Sequence, residues 1–381
     1  MKRHVVMSLS NAFRPDPRVL KEAISLVQAG WDVTVICWDR KKEFPRQENI
    51  EGIAIRRLWI RSGYGVGSRQ ILHLPFFWYQ SLKEMSALRP DIIHCHDLDT
   101  TPAGYYYSHL HRIPWIYDAH ECYPVLMRPQ VNRIIYHLLL VLERFVTRNA
   151  THVLTVGETH AQRFRSLGGQ ISVVGNYAPL NIFDHCGKIT RSALGLSPDD
   201  FLVAYIGGFT RGRAILPIMK ATGIFQDVTL LLVGNGPQRG AIEAELPRHR
   251  QVRYLGWVSQ EEALEYTSLA DVIYYGLDIH DPNSEFNAPN TLFHALTAGK
   301  PILTTNVGEI GRIVREEQCG IALEEASPDL LAMALEQLSN PVFRLKLARN
   351  ARQAAVNKYN WNIAQENLLN VYQELASRRG I

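Results

Sequence analysis

None of the five cysteines in this sequence has a close partner. Cys37, Cys95, Cys122, Cys186 and Cys319 stand singly. That spacing argues against a zinc ribbon or a disulfide framework and suits a reducing compartment, so a cytoplasmic location is expected. A run of 18 apolar residues is also missing, so no spanning helix is expected. The opening Met1-Lys2-Arg3 with Val5-Val6-Met7 is too short for a signal peptide and is followed at once by Asn11, Arg14 and Asp16. It reads as a first buried strand. Charge of one sign is scarce, with 41 Lys and Arg against 37 Asp and Glu, which excludes a dedicated nucleic-acid binder. There is no short-period repeat and no low-complexity tract. The first strand carries no G-x-G-x-x-G, and Gly234-Asn235-Gly236-Pro237 begins one that Arg239 breaks at the third glycine position. An NAD-dependent oxidoreductase is therefore disfavoured.

What is present is a globular composition, 46% hydrophobic and 20% charged over 381 residues. This length suits two domains of roughly 150–200 residues each. Strand and helix patterns alternate along the chain. Strands are expected at 4–9, 31–38, 53–60, 91–95, 115–118 and 152–156. Helices are expected from Pro17 behind an Asp16 cap, and over 70–88, 101–111 and 131–148. The alternation pauses near Asn176-Tyr177-Ala178-Pro179, with a connector over 181–198. It resumes with strands at 202–206, 229–233, 252–255, 272–275, 302–304 and 321–323. An amphipathic helix runs from Trp361 to about Ser377. Two successive βα series predict an α/β protein of two Rossmann-like doubly wound domains facing across a cleft. The expected boundaries are 1–178, 179–360 and a terminal helix over 361–381.

In such sheets ligands sit beyond the carboxyl ends of strands, where helix N-termini favour phosphate. After the strand at 202–206 comes Gly207-Gly208-Phe209-Thr210-Arg211-Gly212-Arg213. Its glycines permit close backbone approach, and its arginines could neutralise a departing diphosphate. After the strand at 91–95 comes His94-Cys95-His96-Asp97-Leu98-Asp99. Zinc ligation is one reading, but alternation puts His94 and His96 on one face and Cys95 on the other. Asp97-Leu98-Asp99 matches the short D-x-D of metal-dependent sugar transferases. The preferred reading has no metal: His96 and Asp97 face the site, and one of His94 and His96 is a packed core histidine. At the end of the next strand, His120 and Glu121 complete a polar cluster able to orient hydroxyls or move a proton.

Taken together, these segments resemble the retaining glycosyltransferases of family 4, which have the GT-B fold. The resemblance runs from Met1 to about Tyr372. It rests on Asp16-Pro17-Arg18-Val19 with Lys21-Glu22-Ala23, His94-Cys95-His96-Asp97, Tyr117-Asp118-Ala119-His120-Glu121, Gly207-Gly208, Leu255-Gly256-Trp257-Val258, Pro289-Asn290-Thr291-Leu292-Phe293 and Ala298-Gly299-Lys300-Pro301. It implies that His120 touches the donor sugar and that Arg213 binds the diphosphate; Asp97 and Glu121, from the strand-end clusters, are the other candidate catalytic residues. Gly207, Gly208, Arg211, Gly234 and Gly236 join that donor site. The backbone of Gly256, Trp257 and Val258 reads the base, and Pro289, Asn290 and Thr291 cradle phosphate. Asn11, Arg14 and His96 fall on the acceptor side, and the last helix crosses back to the first domain. The donor would be a UDP- or GDP-sugar, the acceptor a saccharide or lipid-linked molecule, and transfer would need no metal. The sequence departs from the pattern at Gly208, where arginine is usual, and at Thr291, often lysine. It also departs at Phe286 and His294, where two glutamates are usual. Glu285 lies next to the first, and His294 would meet the ribose.

Two other functions fit the same scaffold. A catalytically impaired binding subunit would hold donor without transferring it, and a nucleotide-sugar epimerase would convert donor without acceptor. A further expectation concerns location on the membrane's inner face. Residues 71–79 are rich in aromatics, and Arg56, Arg57, Arg61, Arg69, Arg128 and Arg133 and the run 138–142 accompany them. Residues 1–170 hold 22 Lys and Arg against 15 Asp and Glu. This is either an interfacial patch or the filling of the first core.

Overall fold

A computed structural model of the chain describes residues 3–14, 16–62, 72–197 and 200–379. Pro15, Arg69, Gln70, Ile71 and Pro198 lie outside the described residues, so the expectations placed on them are not taken further. Contacts divide the chain into two units, Met1–Gly175 with Ala364–Ile381, and Asn176–Ile363.

The first unit comprises β1 (His4–Leu9), α1 (Pro17–Gln28), β2 (Asp32–Trp38), β3 (Gln47–Ile50), β4 (Ile53–Leu58), α2 (Leu74–Leu88), β5 (Ile92–His96), α3 (Thr101–His111), β6 (Trp115–Ala119), α4 (Tyr123–Met127), α5 (Arg133–Asn149), β7 (His152–Thr155), α6 (Glu158–Ser166) and β8 (Ile171–Val173). Its sheet has the order β3-β4-β2-β1-β5-β6-β7-β8. Every pair is parallel except the edge pair β3 and β4. The expected strands are all present. Two short ones, β3 and β8, come in addition.

Both faces of this sheet are covered, as a parallel sheet requires. One face carries an apolar core in which Trp38, Phe77, Tyr107, Trp115, Tyr117 and Phe164 pack beneath α2, α3, α5 and α6. The other face lies under α1. Asp16 caps that helix by accepting from Val19 N at 3.1 Å, and Pro17 sits at its first position. The second face is polar where β5 and β6 run side by side.

The second unit comprises β9 (Phe201–Ile206), α7 (Ile215–Thr222), β10 (Val228–Val233), α8 (Arg239–Glu245), β11 (Val252–Gly256), α9 (Gln260–Leu269), β12 (Val272–Tyr275), α10 (Asn290–Ala298), β13 (Ile302–Thr305), α11 (Gly308–Glu316), β14 (Gly320–Leu323), α12 (Pro328–Ser339) and α13 (Pro341–Asn357). Its parallel sheet runs β11-β10-β9-β12-β13-β14. The central strands FLVAYI and VTLLLV are nearly all buried, which matches their unbroken apolar character. The last helix, α14 (Trp361–Arg379), starts in this unit and belongs to the first from Ala364 onward. There Tyr372 is fully buried, with its ring edge-on to Trp31 at 5.1 Å.

Candidate active site

The polar face of the first sheet is built from register. Parallel pairing sets His96 beside Asp118, and alternation puts His94 on the same side as His96. The two rings stack at 4.3 Å. Cys95 and Tyr117 point into the opposite, apolar core. From α1, Arg18 reaches down to Asp118 Oδ1 at 2.8 Å and lies 3.2 Å from Glu22 Oε1, one turn along. From α14, the Tyr372 hydroxyl lies 2.8 Å from His94 Nδ1. Donation from that hydroxyl would leave the His94 proton on Nε2, which is 3.5 Å from Asp118 Oδ2.

His120 follows directly after β6. Its Nε2 lies 3.0 Å from Asp118 Oδ2 and 3.1 Å from His96 Nδ1. Asp97 faces the other side of the ring, with its Oδ2 3.8 Å from Nδ1. Asp97 Oδ1 also accepts the His120 backbone N–H at 3.2 Å. This clamp costs backbone strain, since Asp97 holds φ 61° and ψ 164°, a region that residues with a side chain avoid. Arg18, Glu22, His94, His96 and Asp118 are all buried, whereas the His120 side chain keeps 15% of its surface open. His120 is thus the ring through which this group can meet a ligand.

Charge in the cluster is balanced internally. Burial alone would raise the Asp118 carboxyl, but Arg18 and His120 outweigh it and hold it well below the carboxylate range. Burial pulls His120 down, and Asp118 with Asp97 overcome this to bring it up to about 9. Glu22 is pushed up to about 8 by burial and by Asp118, against the pull of Arg18. His96 falls well below its usual value through burial and the neighbouring His94. At neutral pH the group therefore holds a cationic His120 against an anionic Asp118. Ligand atoms of Glu22, His94, His96 and Asp118 lie within 4.8 Å of one another. Arg18, on two of those carboxylates, already supplies the positive charge that a cation would bring. The D-x-D pair does not open two carboxylates to a ligand either. Asp99 is buried, and burial together with Asp97 raises its carboxyl to about 7.

In the second unit, loops at the ends of β9, β10 and β11 lock together. Gly207 N donates to Val233 O at 2.9 Å, Gly234 N to Gly256 O at 2.8 Å, and Phe209 N to Asn235 O at 2.9 Å. The Tyr205 hydroxyl donates to Gly208 O at 2.8 Å and shapes the first loop from below. Gly236, at φ +157°, comes so close to this loop that a Cβ would stand 2.7 Å from Phe209 O and 2.9 Å from Phe209 N. Gly236→Ala is therefore expected to strain the loop by roughly 1–3 kcal/mol. Its thermal midpoint should fall, and ligand binding at this loop should weaken in the same titration.

Arg213 folds back over the Tyr275 ring, 4.9 Å from its centroid. With its carboxamide oxygen turned toward the guanidinium, Asn287 accepts from both terminal nitrogens at 3.3 and 2.9 Å. Gly207 lies against Tyr275 and Thr291. Thr291 donates to Ile206 O at 2.8 Å, pinning the start of α10 to the end of β9. No side chain caps α10, so its first backbone N–H groups are not taken by a capping side chain. Beside these loops an open pocket of about 510 Å³ is lined by Arg211, Arg213, Gln238, Asp278 and His280, among others. A glycine-lined loop, a guanidinium and a helix N-terminus together suit an anionic phosphate group.

The structure thus brings together His120, Asp97 and His96 in one unit. In the other it gathers Gly207, Gly208, Arg213, Gly234, Gly236 and the start of α10 at Pro289, Asn290 and Thr291. Three of the expected site residues are already engaged by their neighbours. His96, expected on the acceptor side, is fully buried, stacked on His94 and 3.1 Å from His120 Nε2. Asn11 spends its carboxamide on the loop itself, donating to Asp16 Oδ2 at 2.8 Å and accepting from Phe13 N at 2.7 Å. The Thr291 hydroxyl is committed to Ile206, which leaves its backbone for a ligand. Arg14 is paired with Glu48 at 2.5 Å. Glu121, Trp257 and Glu285 are exposed, while Val258 and His294 are half-buried. Phe286 is buried. Sequence reasoning did not assign Arg18, Glu22, Asp118, Tyr372, Tyr275 or Asn287 to the site. Arg18, Glu22 and Asp118 lie in segments that carry the family resemblance, and Arg18 and Glu22 also stand four residues apart beside the apolar face of α1.

Two doubly wound parallel α/β units with charged groups at their strand ends are the architecture of a GT-B protein. A glycosyl transferase 4-like domain matches residues 15–176, and glycosyl transferases group 1 matches residues 202–340. The chain belongs to the family 4 glycosyltransferases with the GT-B fold. It is 24% identical over 385 residues to an uncharacterised glycosyltransferase of Methanocaldococcus jannaschii, covering 92% of each chain. Among solved structures, sucrose-phosphate synthase from Thermosynechococcus elongatus superposes with a TM-score of 0.83 at 20% identity, covering 99% of this chain and 100% of that one. Anabaena HepE in complex with UDP-glucose superposes with a TM-score of 0.72 at 14% identity, covering 97% and 99%. No helix among the described residues is long and apolar enough to cross a membrane.

Proposed function

We propose that the chain moves a hexose-type sugar from a nucleoside-diphosphate donor to a saccharide or lipid-linked acceptor, with retention and without a metal. The setting would be polysaccharide or glycolipid assembly on the cytoplasmic side. The observation that carries this reading is Arg213, held over Tyr275 and bonded by Asn287 just before α10, with Gly207 against the same Tyr275 ring. As the glycosidic bond breaks, negative charge grows on the departing diphosphate. A fixed guanidinium and backbone amides at that position stabilise the transition state more than the ground state. The similarity to a structure holding UDP-glucose supports a UDP-sugar as the first donor to try. Arg18 and Asp118 supply the positive and negative charge around His120, so charge balance in the first unit calls for no metal.

The test is a thermal-shift screen against UDP- and GDP-sugars, followed by single-turnover transfer. A donor that binds the folded state raises its midpoint. Arg213→Gln should then lower kcat/KM by roughly 10–150-fold, the worth of one hydrogen bond to a charged group. Unchanged kinetics would remove Arg213 from the diphosphate site. Tight donor binding without transfer would point to the binding-subunit alternative, which Phe286 favours by burying its ring where a glutamate is usual.

A further inference from the structure

The outer surface of the first unit carries apolar residues that its core does not use. Helix α5 turns only Glu143, Val146 and Thr147 fully inward. Yet Ile134, Leu138, Val141 and Phe145 recur at helical spacing along its outer side, with Ile134 73% and Val141 66% exposed. A helix that packs on a globular core has one apolar face, and α5 has two. The surface continues onto the neighbouring helices, where Phe76 and Tyr79 of α2 and Tyr106 and Leu110 of α3 are also exposed. The stretch around residue 76 therefore splits between core and surface. Leu74 and Phe77 fill the core, and Phe76 and Tyr79 face out.

The electrostatics of this surface point one way. Helices α2, α3 and α5 contain two carboxylates, Glu84 and Glu143, and each is engaged by an arginine, Arg56 and Arg163 respectively. Against them stand the exposed Arg133, Arg144 and Arg148 of α5 and Lys83 of α2. At the start of α5, beside Ile134, a cavity of about 430 Å³ is lined by Arg128, Arg133, Tyr136 and His137. The Arg128 guanidinium lies 5.7 Å from the Tyr136 ring. An apolar stripe flanked by arginines, with a basic cavity at its edge, matches the two parts of an anionic phospholipid. We infer that the outer face of α2, α3 and α5 docks onto an anionic phospholipid bilayer, with the apolar stripe in the acyl boundary and a headgroup phosphate between Arg128 and Arg133. A second copy of the chain is a poorer occupant, because a two-fold contact would press this cationic rim against itself.

The inference is independent of which sugar is transferred. The full-length chain is floated with vesicles of phosphatidylcholine alone and of phosphatidylcholine mixed with phosphatidylglycerol. Association is expected with the anionic vesicles and should weaken as salt rises. Arg128→Gln with Arg133→Gln should weaken it roughly 30-fold, the effect of two charges near the surface. Ile134→Ser with Leu138→Ser should weaken it on the order of 100-fold. Both pairs are solvent-facing, so thermal midpoints and transfer to a soluble acceptor should stay at the level of the unsubstituted chain. Three results would overturn the inference. They are no association with anionic vesicles, equal association with neutral ones, and a self-association in sedimentation that the Ile134 and Leu138 substitutions abolish.

Discussion

Replacing His120 with alanine should lower the transfer rate by roughly 10²–10³-fold while leaving donor affinity nearly unchanged. The expectation follows from how the ring is held. Asp118 and Asp97 flank its two nitrogens at 3.0 and 3.8 Å, and its side chain, unlike that of Asp118, keeps part of its surface open. The two carboxylates keep it cationic up to about 9. The expected role is that of a fixed donor and positive charge, not of a base. Single-turnover transfer with calorimetric donor binding separates the two quantities. A matched loss in binding would place His120 in ground-state recognition. The rate of the unsubstituted enzyme should hold through neutral pH and decline as pH rises through about 9, where the imidazolium loses its proton.

The second large effect is expected at Asp118. Asp118→Asn removes the anion that Arg18 and His120 share and leaves the buried guanidinium beside Glu22 and the Val174 carbonyl, without the carboxylate it bonds at 2.8 Å. Breaking a buried pair in this way costs about 3–5 kcal/mol. Urea unfolding as a function of pH reads it out, and the signs follow from the two titrations. The folded carboxyl of Asp118 lies well below its usual value, so its contribution is present above about pH 4 and fades as pH falls below that. The His120 value is raised, so its contribution is full below about 6.5 and is lost as pH climbs to about 9. In Asp118→Asn both dependences should shrink. The alkaline decline of the transfer rate should also move to lower pH, because His120 loses the larger of its two carboxylate partners. A stability loss with an unmoved rate profile would make Asp118 a purely structural residue.

Much of the scaffold was readable because buried parallel strands are unbroken apolar runs, and β9 and β10 announce themselves that way. The loop from Gly207 to Arg213 stood out for a related reason, since its glycines and arginines follow such a strand directly. What escaped notice was polar or remote. Strand β3, Gln-Glu-Asn-Ile, is an edge strand held by its antiparallel partner, with no apolar pattern of its own. Helix α6, Glu158–Ser166, is mostly polar and docks through His160, Ala161 and Phe164. Around His120, the identity of the neighbours depends on tertiary packing. Tyr372 is 278 residues from His94, and no local period connects them. Arg18 stood within a segment carrying the family resemblance, but its pairing with Asp118, 100 residues on, comes only from packing.

Helix α14 has a consequence for how the protein is made. Leu368, Val371, Tyr372 and Leu375 are buried and belong to the first unit, yet they are encoded after the whole of the second. A ribosome that has finished residue 175 has not yet supplied the side chain that meets His94. The first unit to emerge is thus the last to be completed, and until then its polar sheet face must wait without that cover. Expressing residues 1–175 alone should yield a chain that gathers chaperones, and supplying the terminal helix as a separate peptide should relieve it.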